Sequence, residues 1–256
     1  MVVLGTTSES STLSDDEKDE IVRFVINKNA SRMKIVVAVI TNSSKDAIEK
    51  SIRYEKMGAD YLLVISPFYN KTNKNGLIKH FNVIAQNINI PIIIYNVPSR
   101  SGMNIDVDVI LELKKTPNIV GVKECSKDIA HIIELSKICD RYFHLYCGND
   151  DLSYLFLSLG ATGLINVYGN VNPKLMKDLI NIYEINPLLA RNYFYEFYDL
   201  FKVLFIETNP IPIKALMNYL GHGVGLYRMP LEQMMEENYN KLINLYKKVN
   251  RYHTKI

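Results

Sequence analysis

Pro91-Ile92-Ile93-Ile94-Tyr95-Asn96-Val97-Pro98-Ser99-Arg100-Ser101-Gly102 is the stretch that decides how the chain folds. It opens as an unbroken apolar run rich in β-branched residues. The run is short enough for one strand, and it stops at a turn carrying Pro, Ser and Gly. A strand with apolar residues at consecutive positions has no solvent face, so it belongs in a parallel sheet covered on both sides. Runs of the same kind recur on either side: Val2–Leu4, Ile35–Ile40, Tyr61–Ile65, Ile119–Lys123, His144–Cys147 and Leu164–Val167. Helical spacing fills the gaps. Asp15–Asn27 sets Ile21, Val22, Val25 and Ile26 on one face, and Lys127–Cys139 does the same for Ile129, Ile132, Ile133, Leu135 and Ile138. Asp46–Met57 follows a Ser43–Ser44 capping signal and precedes Gly58. Strand starts recur at roughly the length of a βα unit, which leaves a doubly wound sheet or a β/α barrel.

Beyond Asn172 the pattern changes to helical segments around 174–184, 187–205, 211–219 and 231–249. The aromatic residues from Tyr193 to Phe205 are expected in core and interface. Seven strands are counted where a closed barrel needs eight.

The chain has 256 residues, 48% hydrophobic and 22% charged, with 30 Lys+Arg against 27 Asp+Glu. Disorder, collagen and a disulfide scaffold are excluded by these values. Net charge of +3 is small and evenly spread, so neither nucleic acid nor an acidic membrane surface is indicated as a partner. Cys125, Cys139 and Cys147 form no CxxC pair and are expected as reduced thiols. The apolar runs are too short to span a bilayer, Met1–Ser11 lacks the features of a signal peptide, and the cytoplasm is the expected location. His80, His131, His144, His222 and His253 show no ligand spacing, so no metal is expected.

Chemistry in β/α folds sits at the C-terminal ends of strands. Gly5-Thr6-Thr7-Ser8-Glu9 offers hydroxyls and backbone N–H groups able to hold a carboxylate or phosphate, although such turns often only cap a helix. Tyr95 and Arg100 could bring a phenol and a guanidinium to one pocket; a buried Tyr beside a surface Arg fits equally well. Lys123 ends an apolar strand in Gly121-Val122-Lys123-Glu124. A desolvated lysine there would be the neutral amine that attacks a carbonyl, whereas a rim lysine would merely snorkel. Ser66-Pro67-Phe68-Tyr69-Asn70-Lys71 adds a second phenol in a loop. Gly221-His222-Gly223-Val224-Gly225 follows a helix and is read as a connection. Asp150 and Asp151 are expected to cap the next helix.

Taken together, Gly5–Leu13, Ser66–Lys71, Tyr95–Gly102, Gly121–Glu124, Gly148–Asp150 and Glu207–Lys214 resemble the motifs of the dihydrodipicolinate synthase family, in its order and spacing, from Val2 to about Pro230. The family is one of the pyruvate-dependent class I aldolases and lyases akin to N-acetylneuraminate lyase. The resemblance implies a (β/α)8 barrel with a C-terminal helical extension. By it, 1–171 would be the barrel from strand two to strand eight, the first βα unit lacking, and 172–256 a barrel-closing helical region. It implies condensation of pyruvate with L-aspartate 4-semialdehyde in diaminopimelate and lysine biosynthesis, without a cofactor, by a homotetramer built as a dimer of dimers.

In that reading Lys123 forms the Schiff base, and Tyr95 relays protons with Thr6 or Thr7. Tyr69 completes the relay in a neighbouring subunit. Thr6 and Thr7 cradle the pyruvate carboxylate, Arg100 holds the carboxylate of the semialdehyde, and Gly148 and Ile165 line the pocket. The chain departs from the family pattern at Ser8, where a glycine is usual, and at Ala38–Asn42, which lacks two glycines. Ser8 would be strained if its position needs positive φ. Another pyruvate lyase acting on sugar acids, and a non-catalytic remnant, are the competing readings.

Overall fold

A computed structural model describes residues 1–253. Seven strands hydrogen-bond in chain order: β1 (Val2–Val3), β2 (Val36–Val39), β3 (Tyr61–Ile65), β4 (Ile92–Asn96), β5 (Ile119–Glu124), β6 (His144–Cys147) and β7 (Gly163–Leu164). Pairing from β1 through β5 is parallel throughout. The chain divides into two compact units, one of residues 1–146 with 159–162, the other of residues 147–158 with the chain from Gly163 on.

In the first unit, helices α1 (Asp15–Asn29), α2 (Ser44–Met57), α3 (Lys74–Ala85), α4 (Pro98–Ser101), α5 (Val107–Leu113) and α6 (Ile129–Ile138) alternate with the strands. Their ends follow local chemistry. Ser14 and Glu17 close a capping box on α1. Ser43 caps α2, and Gly58 ends it at φ 100°, where a side chain would be strained. Consecutive strand residues such as Leu62, Leu63, Val64 and Ile65 are all buried, as a sheet covered on both faces requires. One face carries Ala38, Leu63, Ile65, Ile93 and Tyr95 as a single apolar cluster.

Register decides which side chains share that face. Ile92 pairs with Ile119, but Ile93 pairs with Gly121, so Val120 is an extra residue in β5. Because side chains alternate, this bulge reverses the face of everything after it. It brings Lys123 opposite Tyr95 and Glu124 opposite Asn96. Without it, Tyr95 would face Val122. Gly121 permits the arrangement: a Cβ there would lie 2.5 Å from the His144 carbonyl oxygen of β6.

The second unit holds α7 (Ser153–Ser158), α8 (Pro173–Ile185), α9 (Pro187–Val203), α10 (Ile211–Tyr219) and α11 (Glu236–His253). Phe194, Phe197, Leu200 and Phe201 of α9 pack with Leu179, Leu216 and Leu242 in its core, where the aromatic stretch was expected. The final helix starts at Glu236 rather than near 231. Before it, Glu207 Oε1 accepts the Met235 N–H at 3.0 Å and the Asn238 side-chain amide at 2.7 Å, which anchors the start of the helix.

Two expectations about Asp150 and β7 are corrected together. Asp150 does not act as a side-chain cap. Its wholly buried carboxylate accepts the backbone N–H of Val167 at 2.9 Å and of Tyr168 at 2.7 Å. The Val167 N–H is therefore used by a side chain instead of a strand ladder, and β7 ends at Leu164 rather than Val167. Burial pushes the Asp150 carboxyl up to about 6, against the two N–H groups, which favour its ionised form. Among the described residues no helix is long and apolar enough to cross a membrane.

Candidate active site

The end of β1 runs into two short turns of 3-10 helix, Thr6–Ser8 and Ser10–Thr12, joined at Glu9. Glu9 has a positive φ of 55°, as has Leu4 just before the turns at 59°. Ser8 does not, so the strain expected at Ser8 is absent. Its hydroxyl instead donates to the Gly5 carbonyl at 2.6 Å and tightens the turn. This turn presents Thr6 and Thr7, both half-buried.

Thr6 Oγ1 lies 3.2 Å from the Tyr95 hydroxyl, a contact between the ends of β1 and β4. Tyr95 is 3% exposed. Lys123, its register partner on β5, is half-buried with Nζ 4.2 Å from the centroid of the Tyr95 ring. An ammonium there is attracted by the ring's negative face. The structure thus brings together a hydroxyl, a phenol and an amine from three strand ends.

Tyr69 and Arg100 are both exposed. Arg100 is exposed on the single turn α4 just after β4. Tyr69 is 93% exposed at a φ of 67°, and the Asn70 N–H bonds across it to the Phe68 carbonyl at 2.8 Å. A bond from i+2 to i about a residue of positive φ is a strained γ-turn, rare for an aromatic side chain. The loop is clamped on both sides of the turn. Asn42 Nδ2 donates to the Phe68 carbonyl at 3.2 Å, and Asn70 Nδ2 donates to the Asn42 carbonyl at 3.1 Å. Two side-chain amides therefore flank an exposed phenol whose backbone is in an unfavourable conformation.

Gly148 and Ile165 belong to the second unit. There the Ile165 N–H donates to the Cys147 carbonyl at 2.8 Å, which brings Ile165 alongside the Cys147–Gly148 segment.

Sequence reasoning missed a polar cluster on the opposite face of the same two strands. Glu124, fully buried, accepts the Asn96 side-chain amide at 2.7 Å and is approached by His131 Nε2 at 3.2 Å. Its other oxygen accepts the Ser126 N–H. Charge on a strand otherwise buried was the available signal, since a carboxylate does not stay inside without partners.

A family model described as the dihydrodipicolinate synthetase family matches residues 1–249. The 4-hydroxy-tetrahydrodipicolinate synthase of Thermoanaerobacter sp. (strain X514) is 42% identical over 240 residues, covering 93% of this chain and 81% of that protein. The crystal structure of dihydrodipicolinate synthase from Aquifex aeolicus superimposes with a TM-score of 0.94 at 40% identity, covering 97% of this chain and 86% of that one. The 4-hydroxy-tetrahydrodipicolinate synthase of Methylacidiphilum fumariolicum SolV gives a TM-score of 0.96 at 36% identity, covering 99% and 85%.

Proposed function

Because the chain belongs to the dihydrodipicolinate synthetase family, we propose that its strand-end site condenses pyruvate with L-aspartate 4-semialdehyde to 4-hydroxy-tetrahydrodipicolinate, a lyase reaction of the diaminopimelate and lysine route. The observation that carries this reading is the pairing of Lys123 with Tyr95, the amine 4.2 Å from the ring and the phenol bonded to Thr6.

The chemistry follows from those groups. The neutral Lys123 amine adds to the keto carbon of pyruvate and expels water, leaving an iminium that acts as an electron sink. Loss of a methyl proton gives the enamine. Its carbon attacks the aldehyde carbon, and the resulting alkoxide takes a proton. The amino group of the bound semialdehyde then adds to the imine carbon, closes the ring and releases Lys123. Each step moves a proton, and the Tyr95 hydroxyl, backed by Thr6 or Thr7, is the relay at hand. Thr6 and Thr7 hold the pyruvate carboxylate, Arg100 that of the semialdehyde, and Gly148 and Ile165 line the pocket.

The strained, exposed Tyr69 suits a phenol lent to a neighbouring subunit, which favours a homotetramer arranged as a dimer of dimers. The seven strands are read as strands two to eight of a β/α barrel, the helices after 172 as its C-terminal extension, and the enzyme as cytoplasmic.

Borohydride reduction in the presence of pyruvate, followed by intact mass, tests the reading. A pyruvyl adduct on the wild type that is missing from Lys123→Ala is expected. Folded wild-type protein without the adduct sinks the proposal. An adduct-forming enzyme that turns over sugar acids but not the semialdehyde sinks the substrate assignment.

A further inference from the structure

The bulge that turns Lys123 toward Tyr95 also turns the next residues, Glu124 and Asn96, toward each other on the outer face. An ionised carboxylate with no exposure is costly unless donors surround it. Glu124 is met from three directions: Asn96 from β4, Ser126 from the loop after β5, and His131 from α6. Asn96 extends the connection. Its amide also donates to Asn104 Oδ1 at 2.6 Å, and its Oδ1 accepts the Ile105 N–H at 3.2 Å. Asn104 and Ile105 end the segment that carries Arg100. One buried carboxylate thus ties together the residue after the amine, the residue after the phenol, and the loop of the guanidinium.

We propose that Glu124, paired with His131, is a positioning residue that holds Lys123 and Tyr95 in their working register; the proposal rests on the Schiff-base reading above. Glu124 touches no reacting atom and acts through the peptide it shares with Lys123. The charges facing the His131 ring are Glu124 from β5, Asp128 from the turn before α6, and Asp106 from the turn before α5. His131 is itself fixed by its backbone N–H, which donates to Asp128 Oδ1 at 3.2 Å. The Glu124 hydrogen bond holds the ring's pKa above its ordinary value, outweighing burial, and Asp128 and Asp106 add to the effect. Below that titration the clamp is an ion pair; above it a neutral ring still donates Nε2–H, but the carboxylate has lost its counter-charge.

The experiment measures the rate of pyruvate-adduct formation across pH for wild type, Glu124→Gln, His131→Gln and the double variant, with thermal melts alongside. In Glu124→Gln an amide N–H is turned against one of the three donors. The rate is expected to fall about tenfold while the pyruvate KM stays within about twofold, since one hydrogen bond to a buried charge is lost and no ground-state contact is touched. His131→Gln keeps a donor but cannot titrate. It should differ from wild type only at pH values below the His131 titration. The double variant should be no slower than Glu124→Gln alone, because the two act as one unit.

Rates of both single variants equal to wild type at every pH, with wild type forming the adduct, overturn the positioning pair alone. So does a pH profile of His131→Gln parallel to that of wild type, which also decides the matter should Glu124→Gln fail to fold. No adduct on folded wild type overturns both readings.

Discussion

Lys123 Nζ stands 4.2 Å from the centre of the Tyr95 ring because an extra residue, Val120, shifts β5 by one position against β4. The glycine after the bulge is the part of this device that a point mutation can reach. In Gly121→Ala the new methyl would sit 2.5 Å from the His144 carbonyl oxygen, so one strand must move. A loss of about 1–3 kcal/mol is expected from such overpacking. Denaturant melts should show it, and adduct formation should slow in the same variant. A variant as stable and as fast as wild type contradicts the close approach.

Tyr95→Phe keeps the ring under Lys123 and removes the hydroxyl that meets Thr6 at 3.2 Å. The pyruvate adduct should still be seen by mass, while kcat falls by about 10²–10⁴-fold, the range of a lost proton-transfer group. An unchanged kcat would remove Tyr95 from the relay.

Tyr69 separates backbone from hydroxyl. Tyr69→Gly relieves a φ of 67° and should stabilise the subunit by about 1 kcal/mol; Tyr69→Phe should leave stability unaltered. Both should lose activity if the phenol serves a neighbour. Mixing Tyr69→Phe with Lys123→Ala subunits should then restore turnover, since the second brings an intact phenol to the first's intact amine. Silence in the refolded mixture would place the phenol's work elsewhere.

Asp150 gives a pH signature. Burial raises its folded pKa to about 6, above the unfolded carboxyl. The raised group favours the fold fully below about pH 4, and that contribution is lost as pH rises through 6, on the order of 3 kcal/mol. Asp150→Asn cannot titrate, so its melting temperature relative to wild type should rise between pH 4 and 7. Parallel pH curves would contradict the shift.

His80 acts in the opposite sense. Burial lowers its pKa to about 4, and Nδ1 meets the Ser44 hydroxyl at 2.8 Å. A depressed histidine contributes stability above about pH 6.5, lost as pH falls toward 4, where the unfolded chain takes up the proton first. His80→Gln should flatten that acid limb in calorimetry. Should the limb persist unaltered, His80 is not its source.

The strands up to β6, the Tyr95 turn and Lys123 at a strand end are legible in the amino-acid sequence, because parallel strands buried on both faces read as unbroken apolar runs. The same property hides the register. A strand without alternation does not say which side chains share a face, so the Val120 bulge and the Glu124–Asn96 contact behind it leave no periodic trace. Asp150 departs from expectation for a related reason: a carboxylate at the start of a helical turn resembles a cap, and only the returning Val167 and Tyr168 show whom it serves. Tyr69 shows nothing of its φ in its letter, since strain is imposed by the clamping asparagines.

Each strand from β2 to β5 pairs with the one that precedes it in the chain. A ribosome building this chain therefore supplies each of these strands with a mate already made. Thr6 emerges before its phenolic partner, which follows 89 residues later. The lysine arrives after both, on a strand that pairs with the strand of the tyrosine. The amine is thus made when its aromatic neighbour already exists, with Gly148 and Ile165 still to come.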